Sequence, residues 1–142
     1  MNTKTRSFAS VAVGDKLPPL KIDVTAGLIV GGAIASRDFT PVHHEKAAAQ
    51  AAGLPDIFMN ILTSNGLMAR YVTDWTGPDA TVKRIDVKLG APNMPGMVMT
   101  ITGEVAARDE SARTVDVNVS GDNNVWGNHM AGMVRVALPK EP

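Results

Sequence analysis

A chain of 142 residues with 44% hydrophobic side chains is long enough to bury a sizeable core, and one domain over residues 1–142 is expected. Fourteen Lys and Arg balance fourteen Asp and Glu, so no strong basic field exists to hold nucleic acid or an anionic membrane. The lack of cysteine excludes disulfides, thiolate nucleophiles and cysteine-based zinc sites, and fits a reducing compartment.

Residues 1–16 carry Lys4 and Arg6 but no apolar run of signal-peptide length, and residues 1–10 read as a flexible tail. The tail ends at a turn, Val13-Gly14-Asp15. Leu17-Pro18-Pro19-Leu20 is extended, because proline bars helix there, and Lys21 to Val24 continue it as a strand. Thr25 suits the N-cap of a helix over Ala26 to Ser36. Gly31-Gly32 weakens that helix and lets another backbone approach closely. Its apolar run, Ala26 to Ala35, is about half of what a bilayer span needs, which leads to the expectation of a cytoplasmic protein.

Glu45 to Ala52 is a short alanine-rich helix, stopped by Gly53. Asn60 to Trp75 forms the central helix. Ile61, Leu62, Leu67, Met68, Tyr71, Val72 and Trp75 leave it little polar face, so burial on several sides is expected. Thr76-Gly77-Pro78-Asp79 ends it, and the apolar period then changes to two. Ile85, Val87 and Leu89 mark one strand, Met97 to Val105 a second, Val115 to Val119 a third, and Asn128 to Leu138 a fourth. Turns are expected at Pro92 to Gly96, Asp109 to Ser111 and Gly121 to Asn124. One buried helix with long antiparallel strands is an α+β plan: a curved sheet wrapped around a long helix. Its open edges invite a second copy, so a dimer is expected.

Asp38 and His43 stand five apart in a loop between helices, and Pro41 stiffens the chain between them. A carboxylate and an imidazole turned to one point suit hydration of a conjugated thioester: one takes a proton from water, the other orients it or protonates Cα. By spacing alone, a surface loop with Asp38 capping a turn and His43 solvated fits at least as well.

The surrounding motifs favour the chemical reading. Asp38-Phe39-Thr40-Pro41-Val42-His43 resembles the Asp-Phe-Asn-Pro-(Ile/Val)-His motif of the MaoC-like hydratase family. Val13 to Leu20 resembles the family's opening strand, and Val24 to Ser36 its helix leading into the motif. The resemblance covers most of the chain. It implies a hot-dog fold, an antiparallel sheet wrapped around a long helix and paired into a dimer. It also implies (R)-specific hydration of trans-2-enoyl thioesters, or the reverse, with Asp38 and His43 binding and activating the water. No cofactor is implied beyond the CoA carried by the substrate, and no metal.

The family stabilises the enolate-like oxygen with a backbone N–H at the start of the central helix, a place suited to an anion. The matching stretch is Ile57-Phe58-Met59-Asn60-Ile61-Leu62-Thr63, which assigns the N–H to Asn60 and substrate contacts to Phe58, Met59 and Ile61. Met59-Asn60 replaces the family's His-Gly. The Asn60 side chain either caps the helix or faces the thioester. Asp56 to Thr63, Arg70 to Trp75 and the His43-His44 doublet resemble the small catalytic subunit of the actinobacterial hydratase for steroid side chains, which pairs two different MaoC-like chains. A second such subunit, otherwise a second copy, is the expected partner.

Other candidates rank lower. His44 reads as a solvated neighbour without a third metal ligand near it. His129 reads as structural, and Ser36 and Ser64 lack a nucleophile elbow. Lys83, Arg84 and Lys88 either meet CoA phosphates or form a solvated strand face. A 3-hydroxyacyl-carrier-protein dehydratase with the same catalytic pair, and a non-catalytic hot-dog partner, are the alternatives. A thioesterase is disfavoured, because residues 60–71 contain no carboxylate.

Overall fold

Alternation of buried and exposed side chains along four long strands leaves one sheet face that must be covered. The structure, a computed structural model, describes residues 4–140. Strands β1 (Lys16–Asp23), β2 (Thr81–Leu89), β3 (Val98–Asp109), β4 (Thr114–Asn123) and β5 (Gly127–Ala137) form one antiparallel sheet in the order β1-β3-β4-β5-β2. Helices α1 (Ala26–Ala35), α2 (Lys46–Ala51) and α3 (Ile61–Thr76) follow β1. The sheet curls around α3 as a hot-dog fold and does not close, so β1 and β2 are edges. No helix among the described residues is long and apolar enough to cross a membrane.

The core joins Leu67, Met68, Tyr71 and Val72 of α3 to Met99, Ile101 and Val105 of β3, Val115, Val117 and Val119 of β4, and Met130, Val134 and Val136 of β5. Truncating a fully buried side chain such as Met68 typically costs about 2–5 kcal/mol. The helix is less enclosed than its composition suggests. Ile61 and Leu62, in its first turn, are 46% and 49% exposed, and Arg70 faces solvent.

Two segments differ from the sequence reading. The tail expected over residues 1–10 is packed from Thr5 onward. Thr5 donates through its hydroxyl to Asp79 at 2.7 Å, Arg6 stacks 4.6 Å from the Trp75 ring centroid, and Phe8 lies in the core. Gly77 ends α3 at φ 98°, and a Cβ there would stand 2.5 Å from the Thr5 Cα. The tail is thus held by a backbone approach that only glycine permits. Residues 1–3 of it lie outside the described residues. The turn expected at Gly121 to Asn124 begins later, since β4 runs to Asn123. Gly121 there pairs with Ile101 and Met130, and a Cβ would meet the Met130 side chain at 2.9 Å. Packing, not turn formation, is what its missing side chain serves.

Candidate active site

The loop after α1 is set by the way the helix ends. Thr25 caps its start, accepting from the Leu28 N–H at 3.0 Å. At its end the Arg37 N–H donates to Ile34 O at 3.0 Å and the Asp38 N–H to Ala33 O at 2.9 Å. This is a Schellman turn with Arg37 at φ 58° in the left-handed position that glycine usually fills. It delivers Asp38 two residues past the Ser36 C-cap.

The Asp38 carboxylate is then fixed at both oxygens. Oδ1 accepts from the Thr40 hydroxyl at 2.7 Å and the Thr40 N–H at 3.2 Å. Oδ2 accepts from Asn60 Nδ2 at 3.0 Å and faces His43 Nε2 at 3.2 Å. The Thr40 hydroxyl, the Asn60 amide and the Thr40 N–H, in that order, hold the carboxyl down to about 2, with a smaller pull from His43 and an opposing push from desolvation. Asp38 is therefore an anion at neutral pH.

Pro41 opens a single 3-10 turn, Pro41–His43, that buries His43 to 7% exposure. Its Nδ1 lies 2.7 Å from the Phe58 carbonyl, and Phe58 meets the ring edge-on at 5.0 Å. A carbonyl only accepts, so Nδ1 carries a proton, and Nε2, which faces Asp38, is the nitrogen that can gain and lose one. The turn and α3 thereby bring together the two residues that sequence spacing alone could not join.

Asn60 is 2% exposed and does cap α3, its Oδ1 accepting from the Thr63 N–H at 3.0 Å. The other end of the same amide binds Asp38 and also donates to Ser36 Oγ at 2.9 Å. This second use was legible in neither the spacing nor the family motif, which has glycine at the position. Among the described residues no hydrogen bond holds the Asn60 backbone N–H, which opens the first turn of α3. Met59 is in the core and 1% exposed, with its N–H on Asn93 O at 2.9 Å, so it meets the site from behind. Phe58 is half-buried against His43, and Ile61 is exposed.

Helix α1 packs on α3 where Gly32 meets Thr63. A Cβ at Gly32 would overlap the Thr63 Oγ1 and lie 2.9 Å from its Cγ2. Gly31 has open space there, so only one of the two glycines serves this contact. Gly32→Ala is expected to push Thr63 away, loosen Asn60 and lower thioester hydration about tenfold or more. Steady-state assay beside a thermal melt checks it; unaltered turnover would show that the helix contact does not position the site. A groove of about 310 Å³ runs along this contact, lined by Gly32, Ala35, Ser36, Leu62, Thr63 and Leu67 among others. Exposed Ile34, Ile61 and Leu62 lie on the same two helices, and exposed Phe39 lies on the loop after α1.

The remaining candidates lie apart from this pair. His44 is outside, its Nε2 3.7 Å from Glu45. His129 is buried, donating from Nδ1 to Ala91 O at 2.7 Å and accepting at Nε2 from Ser64 Oγ at 2.8 Å. Burial pushes its imidazole below the ordinary value, so it ties β5 to α3 as a neutral ring. Lys83, Arg84 and Lys88 are exposed on β2, with Arg84 on Asp86 at 2.8 Å. Among the described residues, no group of three or more His, Cys, Asp or Glu side chains is placed to hold a metal.

A hot-dog sheet with an Asp–His pair beside the start of its central helix defines a class of thioester-handling proteins. The chain belongs to the MaoC-like domain family, whose model matches residues 9–126. It is 43% identical, over 126 residues, to the 3-oxo-4,17-pregnadiene-20-carboxyl-CoA hydratase beta subunit of Mycobacterium tuberculosis, covering 89% of this chain and 95% of that one. It resembles a chain of the ChsH1-ChsH2 complex from Mycobacterium tuberculosis with a TM-score of 0.86 and 42% identity, over 89% of this chain and 98% of that one. An (R)-hydratase from A. caviae involved in PHA biosynthesis shares the fold, with a TM-score of 0.83 at 21% identity over 92% and 98% of the two chains.

Proposed function

We propose that the chain is the catalytic subunit of an (R)-specific enoyl-CoA hydratase acting on a steroid side-chain thioester, such as 3-oxo-4,17-pregnadiene-20-carboxyl-CoA. The convergence of Asp38 Oδ2 and His43 Nε2, 3.2 Å apart, carries the reading. Two acceptors at one point are bridged by a water that donates to both, which leaves the water's lone pairs free to turn towards a substrate carbon. Asp38, held down to about 2, is a weak base, which leaves the water's proton to Nε2. As the water oxygen bonds to Cβ, its proton passes to Nε2 and the alkene electrons move onto the thioester oxygen. Asp38 stabilises the imidazolium so formed. The enolate collapses as Nε2 returns the proton to Cα, so one water is added overall.

The thioester oxygen is taken by the Asn60 N–H at the N-terminal end of α3, where the helix dipole favours negative charge. Phe58 and Ile61 contact the acyl group, and Met59 shapes the pocket from the core side. Exposed Ile34, Phe39, Ile61 and Leu62 suit an apolar ring system and a second MaoC-like subunit that completes the pocket. The cytoplasm fits a cysteine-free chain handling a CoA thioester.

Co-purification from the native host, followed by assay of the isolated chain and the complex, tests this. A second MaoC-like chain should copurify. Hydration of 3-oxo-4,17-pregnadiene-20-carboxyl-CoA should require both chains and exceed that of crotonyl-CoA and of the matching carrier-protein thioester. Full crotonyl-CoA activity from the isolated chain, with no steroid activity in the complex, would refute the heteromeric steroid reading.

A further inference from the structure

An N-cap needs one acceptor, and serine, threonine or aspartate supplies it as well as asparagine does. Asn60 meets that need with Oδ1, yet its Nδ2 is buried with it and fully engaged. One bond goes to Asp38 Oδ2 at 3.0 Å and one to Ser36 Oγ at 2.9 Å. Ser36 spends its own proton on the Gly32 carbonyl at 2.7 Å, which leaves its oxygen as an acceptor for Asn60. The amide thus has a polarity that only one orientation satisfies: acceptor towards the helix, donor towards the loop. Its donor end lies on the carboxylate oxygen that faces His43, and not on the oxygen held by Thr40.

We propose that the Asn60 side chain is a positioning residue for the hydration, locking Asp38 Oδ2 towards His43 at a fixed place relative to the N–H that takes the thioester oxygen. The inference rests on the hydratase reading of Asp38 and His43. One residue then spans both ends of the reaction. Its backbone serves the thioester, its side chain serves the water, and its cap bond ties both to the axis of α3. The spacing between water and carbonyl is set within a single residue, where misplacement by about 1 Å is costly.

The donor can be separated from the cap. Asn60→Asp keeps an acceptor for Thr63 but replaces Nδ2 with an oxygen. Two carboxylates at about 3 Å cannot both be ionised freely, and the pair shares a proton. The titratable group facing Asp38 is His43, from the 3-10 turn. Helices α1 and α3 bring Ser36, Asn60 and Thr63, none of which ionises near neutrality. A new step in the pH profile of Asn60→Asp would therefore belong to the introduced carboxyl group paired with Asp38. Asn60→Gly keeps the backbone N–H and a tolerated cap residue but removes the amide.

The test measures kcat and KM for 3-oxo-4,17-pregnadiene-20-carboxyl-CoA against pH, using the complex as purified, for native protein, Asn60→Asp, Asn60→Gly and Asp38→Asn. Both Asn60 variants are expected to lose about tenfold or more in kcat with KM changed less than about threefold. Asn60→Asp should also show a titration step that the native profile lacks. If Asp38→Asn is inactive while Asn60→Asp superimposes on the native profile, the positioning role is wrong and the hydratase reading stands. If Asp38→Asn is as active as native, the hydratase reading itself fails. Should Asn60→Asp not assemble, Asn60→Gly decides, and an undiminished kcat overturns the role.

Discussion

Asp38→Asn is expected to lower kcat for thioester hydration by about 10²–10⁴-fold while the protein stays folded. The two side chains have nearly the same shape, so the loss is one of polarity and charge. The amide oxygen of the variant, in the place of Oδ1, still accepts from Thr40. Its amide nitrogen then occupies the place of Oδ2, facing Asn60 Nδ2 at 3.0 Å as donor against donor. It also lies 3.2 Å from His43 Nε2 and donates into the lone pair that should receive the water's proton. The base is blocked and the anion that stabilises the imidazolium is gone. Circular dichroism melts beside the assay separate this from unfolding. Near-native turnover in a folded variant would show that Asp38 takes no part in the chemistry.

The carboxylate also links pH to stability. Its value in the folded protein is lowered to about 2 from an ordinary 3.8. A lowered carboxylate stabilises the fold above its unfolded value, and that contribution disappears as pH falls from about 4 towards 2. It is unchanged near neutrality, so pH effects on native turnover there do not come from Asp38.

His43 carries the second large effect, and the choice of substitution decides what is learned. His43→Ala removes the base, but it also strands the Phe58 carbonyl and leaves a hole beside the Phe58 ring, at a cost of about 1–3 kcal/mol. His43→Asn places an amide nitrogen close to where Nδ1 stands and keeps the 2.7 Å bond to Phe58 O, while nothing replaces Nε2. Both variants are expected to lose about 10²–10⁴-fold in kcat, and only His43→Ala should melt clearly lower. Turnover retained by His43→Asn would show that the base lies elsewhere.

Much of the fold was legible because its signals are local and repeated. Alternating valines marked β4, the proline pair kept β1 extended, and Thr25 and Gly53 punctuated helices in the expected way. The errors fall where one residue type has two uses. Gly121 followed by Asp and Asn has the composition of a turn, and only the neighbouring Met130 side chain explains why a strand needs a glycine there. The N-terminal segment looked like a tail because its anchors, Trp75, Thr76 and Asp79, lie far along the chain. For the site, the motif pointed to Asp38 and His43, but the Ser36–Asn60–Thr63 chain is a tertiary arrangement without a sequence period. Ser64 and His129 likewise meet across 65 positions, and neither carries a local signal of that bond.

Arg37 has a consequence of a different kind. The direction in which Asp38 leaves α1 is stored in the backbone torsions of a residue whose own side chain is exposed. Nothing grips that side chain within the described residues, so a scan that ranks positions by the contacts they make would pass over it. Yet a residue that prefers a right-handed or extended backbone at 37 more strongly than arginine does would swing the loop and carry the carboxylate away from both Asn60 and His43. The most informative silent-looking surface position in this chain is the one immediately before its acid.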